Sequence, residues 1–395
     1  MREKREAPDR VAILATSTGL LSFLFPFINF KKNRLVSGIP VYPWNAGGIY
    51  FAIPILLVLI ASLIVLFVTR RKSFKTYLFF EISGSLVVIL GLINLGLISD
   101  NLTLAAKALS SIARATPTTS FWLFMLSGYM FISTAKKELP KIKVYFSLSL
   151  LLFIILLATS GFFKHTSVYM EYFAKRERFL QELLQHFYLT GFSIGLALII
   201  GLPLGILMQR SKRMEKPVFI FINIVQTIPS LALFGLLIAP LSLLTQSFPL
   251  LRSLGIEGIG SAPAIIALTL YALLPITSNT FTGLKVVEPS IIEAGRGMGM
   301  SSFQLFAKVE IPLAFPVIFN GVRTSIVQTI GNTAVAALIG AGGLGTFVFQ
   351  GLGQAVSDLI LLGALPIIIL AILTDRVLYI TNRILTPKGI KYEQE

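Results

Sequence analysis

The sequence contains no cysteine and only two histidines in 395 residues. Without cysteine there is no disulfide, no thiol nucleophile and no Cys-ligated metal site, although the absence assigns no redox compartment. His165 and His186 stand alone at the ends of apolar runs. That isolation argues against a metal pair and for a surface or interfacial role. Charge is also scarce: Asp, Glu, Lys and Arg make up 13% of the chain, against about 25% in a soluble domain. No G-x-x-x-x-G-K-[ST] run occurs, so the chain lacks its own cradle for nucleotide phosphates. No catalytic residues and no metal ligands are assigned, and neither an internal repeat nor a low-complexity tract is evident.

What the chain has instead is apolar length. Hydrophobic residues make up 55% of it, and they recur in continuous runs of about 20, the length that crosses ~30 Å of hydrocarbon. Continuous runs exclude the alternating pattern of a barrel and leave helices as the way to satisfy the backbone in lipid. The expected fold class is all-α, a polytopic membrane protein of about ten spans. The first set is expected near Val11–Phe30, Ile49–Val68, Tyr77–Ile98, Thr118–Thr134 and Val144–Phe163. A second set is expected near His186–Met208, Val218–Leu244, Ala262–Phe281, Phe315–Ile339 and Leu359–Tyr379. The opening MREKREAPDR has the charge of a signal peptide, but the run after it is long and leads to KKNR instead of a small-residue cleavage site. An uncleaved first span is the better reading.

Lys and Arg outnumber Asp and Glu by 34 to 18. In a soluble protein this would suggest nucleic acid; here the cations sit at the ends of apolar runs, where orientation signals and anionic lipid place them. With the N-terminus inside, the inner segments carry more than twice as many cations as the outer ones, so both termini are expected in the cytoplasm. The outer KKNR and AKRER clusters run against that rule. Between Lys164 and Gln185, Tyr169, Tyr172, Phe173, Phe179, Leu180 and Leu183 recur at helical spacing among charges. This segment is expected to lie on the membrane surface as an amphipathic helix and to divide the chain. The expected organisation is five spans in 1–163, the interfacial segment 164–185, a second membrane domain at 186–387, and a cytoplasmic tail at 388–395.

The loop Lys285–Pro312, after the eighth expected span, is long and apolar for a connector. Pro289 suits the first position of a short helix. That helix presents Ile291, Ile292 and Gly295 before Gly297 and Gly299 stop it. Ser301 and Gln304 have capping-box spacing for a second helix, expected to run to Pro312 with Phe303, Leu305, Phe306 and Val309 toward membrane or a partner.

This loop resembles the EAA loop of ABC-type import permeases: Glu-Ala-Ala, three residues, Gly, nine residues, then Ile-x-Leu-Pro. Glu293, Ala294, Gly299 and Pro312 match; Gly295 stands for the second Ala, Val309 for Ile and Ile311 for Leu, with Arg296 following the triplet. The segments 223–238, 267–276 and 337–345 are similar to permeases for glycine betaine, choline and related osmoprotectants, and the similarity covers roughly 186–387. The resemblance implies a type I ABC importer transmembrane domain working by alternating access. It further implies a cytoplasmic ABC ATPase that holds ATP and Mg and docks on the loop, an external substrate-binding protein, and a second permease copy, identical or different. The cell (inner) membrane of a prokaryote is the implied location. It leaves 1–163 unexplained. An importer of another solute such as an amino acid, an ion-coupled carrier, and a membrane sensor are the competing readings.

Intramembrane polar residues are candidates for lining a pathway or for bonding between helices: Asn223, Gln226, Thr227 and Pro229 in the seventh expected span, Asn279 in the eighth, Gln328 and Asn332 in the ninth. Pro229 is expected to kink its span. Asp358 and Asp375 lie toward span ends and Arg323 near a boundary, leaving few midplane ionisable groups for an ion-coupled carrier. Gly340–Gly345 satisfies G-x-G-x-x-G but follows a helix with no βαβ unit, so close helix packing or a broken turn is the better reading.

Overall fold

The computed structural model describes residues 9–386, except 34–35, 46–48, 69–72, 107–112, 135–139 and 254, and gives backbone alone at 51, 105–106 and 140–148. The cationic N-terminus, Arg34, Arg70–Lys72, Lys107, Lys136, Lys137 and the tail at 388–395 lie outside the described residues. The chain divides into two units, Met1–Ala174 and Lys175–Glu395.

The first unit comprises α1 (Arg10–Ser22), strands β1 (Ile28–Lys31) and β2 (Ile39–Val41), α2 (Ile49–Val68), α3 (Phe74–Ala106), β3 (Arg114–Pro117), α4 (Thr119–Thr134), α5 (Pro140–Thr159) and α6 (Ser167–Ala174). Asp9 caps α1 by accepting the Val11 and Ala12 N–H groups. The expected first span, Val11–Phe30, is not one helix: α1 ends at Ser22 and the chain turns into β1. Pro26 has no N–H to continue a helix, and the apolar residues beyond it fill a sheet. That sheet has the order β2-β1-β3, both pairs antiparallel, with Ile28 opposite Val41 and Pro117. α3 and α4 approach at Gly84 and Gly128. A Cβ on Gly84 would come 2.6 Å from the Gly128 carbonyl oxygen, and one on Gly128 would come 2.9 Å from that of Gly84, so the pair admits glycine alone. Phe27, Phe80, Phe124 and Phe131 fill the core beside it.

The second unit comprises α7 (Arg176–Arg210), α8 (Lys212–Thr227), α9 (Ser230–Ser247), α10 (Pro249–Ser253), α11 (Ser261–Lys285), α12 (Pro289–Gly297), α13 (Ser302–Leu305), a π-helical turn at Phe306–Glu310, α14 (Ile311–Thr333), a 3-10 turn at Val335–Ile339, α15 (Gly345–Gly353) and α16 (Ser357–Leu385). α11 is the central post. α7 packs against it through Gly201 and Gly205, and α14 through Gly321, where a Cβ would meet the Pro275 carbonyl at 2.5 Å.

Two further expectations need correction. The amphipathic segment 164–185 is not one helix; the backbone breaks at Lys175, and Arg176 onward continues into the span as α7. The expected seventh span, Val218–Leu244, is two helices, because Pro229 stands at the start of α9 with extended backbone before it at Ile228. By length and composition six helices suit a membrane crossing among the described residues: Phe74–Leu104, Arg176–Arg210, Ser230–Ser247, Ser261–Lys285, Ser302–Thr333 and Ser357–Leu385. Arg10–Ser22, Ala52–Val68 and Ser149–Thr159 are apolar but shorter.

Candidate functional site

The loop between α11 and α14 is built from local signals. Glu288 has extended backbone at the N-cap of α12, and Pro289 takes the first helical turn, where its missing N–H has no partner to lose. The helix runs through Gly297, and the reversal comes two residues later at Gly299, whose φ of +80° favours glycine. Ser301 then opens α13: its Oγ accepts the Gln304 N–H, and the Gln304 Oε1 accepts the Ser301 N–H at 2.9 Å. This is the expected capping box.

Beyond α13 the expectation fails, because the second helix does not stop at Pro312. A π turn carries it into α14, with the Ile311 N–H donating to the Phe306 carbonyl. Pro312 would crowd the carbonyl of Lys308 in an ordinary α-turn and offer it no donor. Widening the turn relieves both problems.

The loop has two distinct faces. Gly295 is buried, and a Cβ there would come 2.6 Å from Leu305 Cδ1. Leu305 therefore points under α12, not toward membrane or partner. Ile292, Phe306 and Ile311 pack beside Leu284, Val287 and Ala314, tying the loop to the ends of α11 and α14. The opposite face shows Ile291, Met298 and Phe303, the last two 76% and 78% exposed. Glu293, Ala294, Arg296 and Gly299 are exposed around them. The result is an apolar patch with a polar surround, held on a folded base.

Two ion pairs meet the ends of this loop. Arg210, the last residue of α7, lies 2.5 Å from Glu310 in the π turn, and its guanidinium sits 5.4 Å from the Phe306 ring. Lys285, at the end of α11, lies 3.9 Å from Glu215 in the first turn of α8. Composition gives no hint of these pairs, since a charge beside a membrane boundary reads as solvated.

The polar residues singled out in the spans fall into separate groups. The Gln226 amide donates to the Tyr271 carbonyl at 2.6 Å, and the Tyr271 hydroxyl donates to the Ile228 carbonyl. Thr227 donates to Ile224 and Asn279 to Pro275. Asn223 and Pro229 are exposed on the surface of this single chain, and Gln328 and Asn332 are partly exposed on α14. Gln226 is thus engaged between helices, while Asn223, Thr227, Gln328 and Asn332 remain wholly or partly accessible.

At the other end of the second unit, α7 grips the glycine turn. Glu182 accepts the Gly343 N–H at 2.7 Å and lies 3.2 Å from the Thr346 hydroxyl. Gln185 donates to Ser261 and to the Ala341 carbonyl. His186 is not at a surface: it is buried, and its Nε2–H donates to the Ile330 carbonyl at 3.1 Å. Arg323 and Asp375 are likewise partners and not separate boundary charges. Two bonds of 2.7 and 2.8 Å join them across α14 and α16, inside the helices long enough to span.

Two segments of the chain match known protein families. Residues 197–389 match the family described as binding-protein-dependent transport system inner membrane component. Residues 9–169 match the family described as ABC transporter permease YehY, N-terminal domain. The osmoprotectant import permease protein OsmW of Salmonella typhimurium is 46% identical over 207 residues, which cover 52% of this chain and 91% of that one. The glycine betaine/carnitine/choline transport system permease protein OpuCB of Bacillus subtilis is 42% identical, covering 53% and 90%. The choline transport system permease protein OpuBB of the same organism is 38% identical, covering 55% and 92%. Among solved structures, an inward-facing MetNI methionine ABC transporter chain matches at 25% identity and a TM-score of 0.46, covering 53% of this chain and 96% of that one. These relatives span about half of the present chain. The chain therefore belongs to the binding-protein-dependent transport system inner membrane components, as a multi-pass ABC importer permease subunit and not an enzyme.

Proposed function

We propose that this chain forms the membrane pathway of an importer for glycine betaine, choline or a related osmoprotectant. The substrate class rests on the names of the relatives that match the second unit. The observation that carries the coupling mechanism is the outward face of α12 and α13, where Ile291, Met298 and Phe303 stand exposed on a packed base. A separate cytoplasmic ATPase, holding ATP and Mg, docks there. Glu293, Ala294, Arg296 and Gly299 border the contact, while Gly295 and Pro312 shape the loop beneath it. A substrate-binding protein delivers solute on the far side, and a second permease copy completes the path. Asn223, Gln226, Thr227, Pro229, Asn279, Gln328 and Asn332 mark the wall of that path, with both termini in the cytoplasm.

Two measurements test the proposal. The full chain is expected to co-purify with an ABC ATPase and to lose it when Glu293 and Gly299 are replaced by bulky or charged residues. Proteoliposome uptake of labelled betaine, choline and proline, at low and high osmolarity, tests the substrate class. Uptake driven by an ion gradient without any ATPase would overturn the coupling reading. Failure to move all three solutes would remove the osmoprotectant assignment alone.

A further inference from the structure

Both ends of the loop from α11 to α14 are tied to a single turn. α7 ends at Arg210, and α8 begins at Lys212 after the one residue Ser211. From this turn, Arg210 reaches Glu310 at the exit of the loop, 2.5 Å away. Glu215 reaches Lys285 at its entry, 3.9 Å away. The charge sense is opposite at the two ends, so exchanging the loop ends would set like charges together.

The two contacts differ in weight. Glu215 and Lys285 are solvated and their pair is long, so it guides more than it holds. Glu310 is 2% exposed and Arg210 meets it at close range. Moving one away from the other would leave a carboxylate buried without its cation, which is strongly unfavourable. Glu310 also sits in the π turn, the one irregular stretch between α13 and α14. Such turns give a helix local room to adjust. A displacement of α12 and α13 would therefore reach α7 through Glu310 as well as α14 through the backbone.

We propose that Arg210 and Glu310, steadied by Glu215 and Lys285, form a second half of the coupling joint, making α7 move together with the loop and α14. They act as positioning residues: they touch neither nucleotide nor solute. The inference rests on the reading that the loop docks an ATPase.

The test uses the full chain with the ATPase and binding protein that assemble with it, reconstituted in proteoliposomes. Uptake of the solute that the wild type transports and ATP hydrolysis are read on the same vesicles. Arg210→Gln and Glu310→Gln are expected to keep the ATPase bound while solute moved per ATP falls about tenfold, the size of a typical coupling between sites. The exchange of Arg210→Glu with Glu310→Arg is expected to restore much of that ratio. Glu310→Gln leaves no buried charge without its cation, so it carries the test if Arg210→Gln does not accumulate in membranes. An unchanged ratio in Glu310→Gln or in Arg210→Gln, or a loss of uptake matched by loss of bound ATPase, would overturn the inference. If the wild-type chain itself holds no ATPase, the docking reading fails instead, which is a different result.

Discussion

Gln226 lends its side-chain amide to the carbonyl of Tyr271 at 2.6 Å, and proline is the reason. In α11 the natural donor to that carbonyl would be the N–H four residues on, at Pro275, which has none. Tyr271 returns a hydroxyl hydrogen bond to Ile228, just before the break at Pro229. The two proline defects thus satisfy each other across the helices. Gln226→Leu is expected to lower stability by about 1–2 kcal/mol, the cost of an unpaired buried carbonyl. In a Pro275→Ala background the carbonyl regains a helical donor and the same change should cost much less. Thermal unfolding of the four proteins in detergent gives the cycle, and equal costs in both backgrounds would refute the account.

The glycine turn gripped by α7 makes a second prediction. Gly343 has a φ of +89°, and a Cβ there would lie 3.3 Å from His186 Nδ1. Gly343→Ala combines a left-handed backbone, at roughly 1–2 kcal/mol for a residue with a Cβ, with pressure on a buried ring. Glu182→Gln keeps the shape but weakens the acceptor of the Gly343 N–H. Both variants are expected to melt earlier than the wild type, Gly343→Ala by more. Circular dichroism on the purified proteins checks the order.

On the loop, exposure and burial predict opposite phenotypes. Met298→Asp alters an exposed residue and is expected to change stability by less than about 0.5 kcal/mol, while weakening ATPase association about tenfold or more. Gly295→Val forces a branched side chain against Leu305, so it should disturb the base of the loop itself. A melting curve beside a pull-down separates the two. If Met298→Asp kept full ATPase binding, the exposed face would not be the docking face.

In the first unit, Gly128→Val drives a side chain into the Gly84 carbonyl and Val88. A loss of about 1–3 kcal/mol is expected, the usual cost of overpacking. Accessibility of Phe124 and Phe131, read by hydrogen exchange of α4, should rise in parallel. Uptake measured on the same variant reports whether this unit matters for transport.

The local features of the loop were legible without the fold. Pro289 at a helix start, Gly299 at a reversal and the Ser301–Gln304 box each depend on residues within four positions, so the sequence alone carries them. The helical, membrane-spanning character was legible for the same reason, as a run of apolar residues needs no partner to be recognised. The fold departs from the local pattern where a short-range signal meets a long-range one. Ile28 and Phe30 read as the continuation of a span, yet they enter a sheet completed by residues near Val41 and Pro117. Val218–Leu244 read as one helix because its apolar residues continue across Pro229.

The sequence by itself determined that this is a helical membrane chain with a locally folded loop between two of its helices. The tertiary structure alone decided what that loop is fastened to. Arg210 and Glu310 stand 100 positions apart, and Gln226 and Tyr271 stand 45 apart. Their meeting depends on which helices become antiparallel neighbours and on the close approach that Gly205 and Gly321 allow around α11. A charge or an amide carries no record of its distant partner; packing selects it, because a buried polar group left alone is too unfavourable to persist.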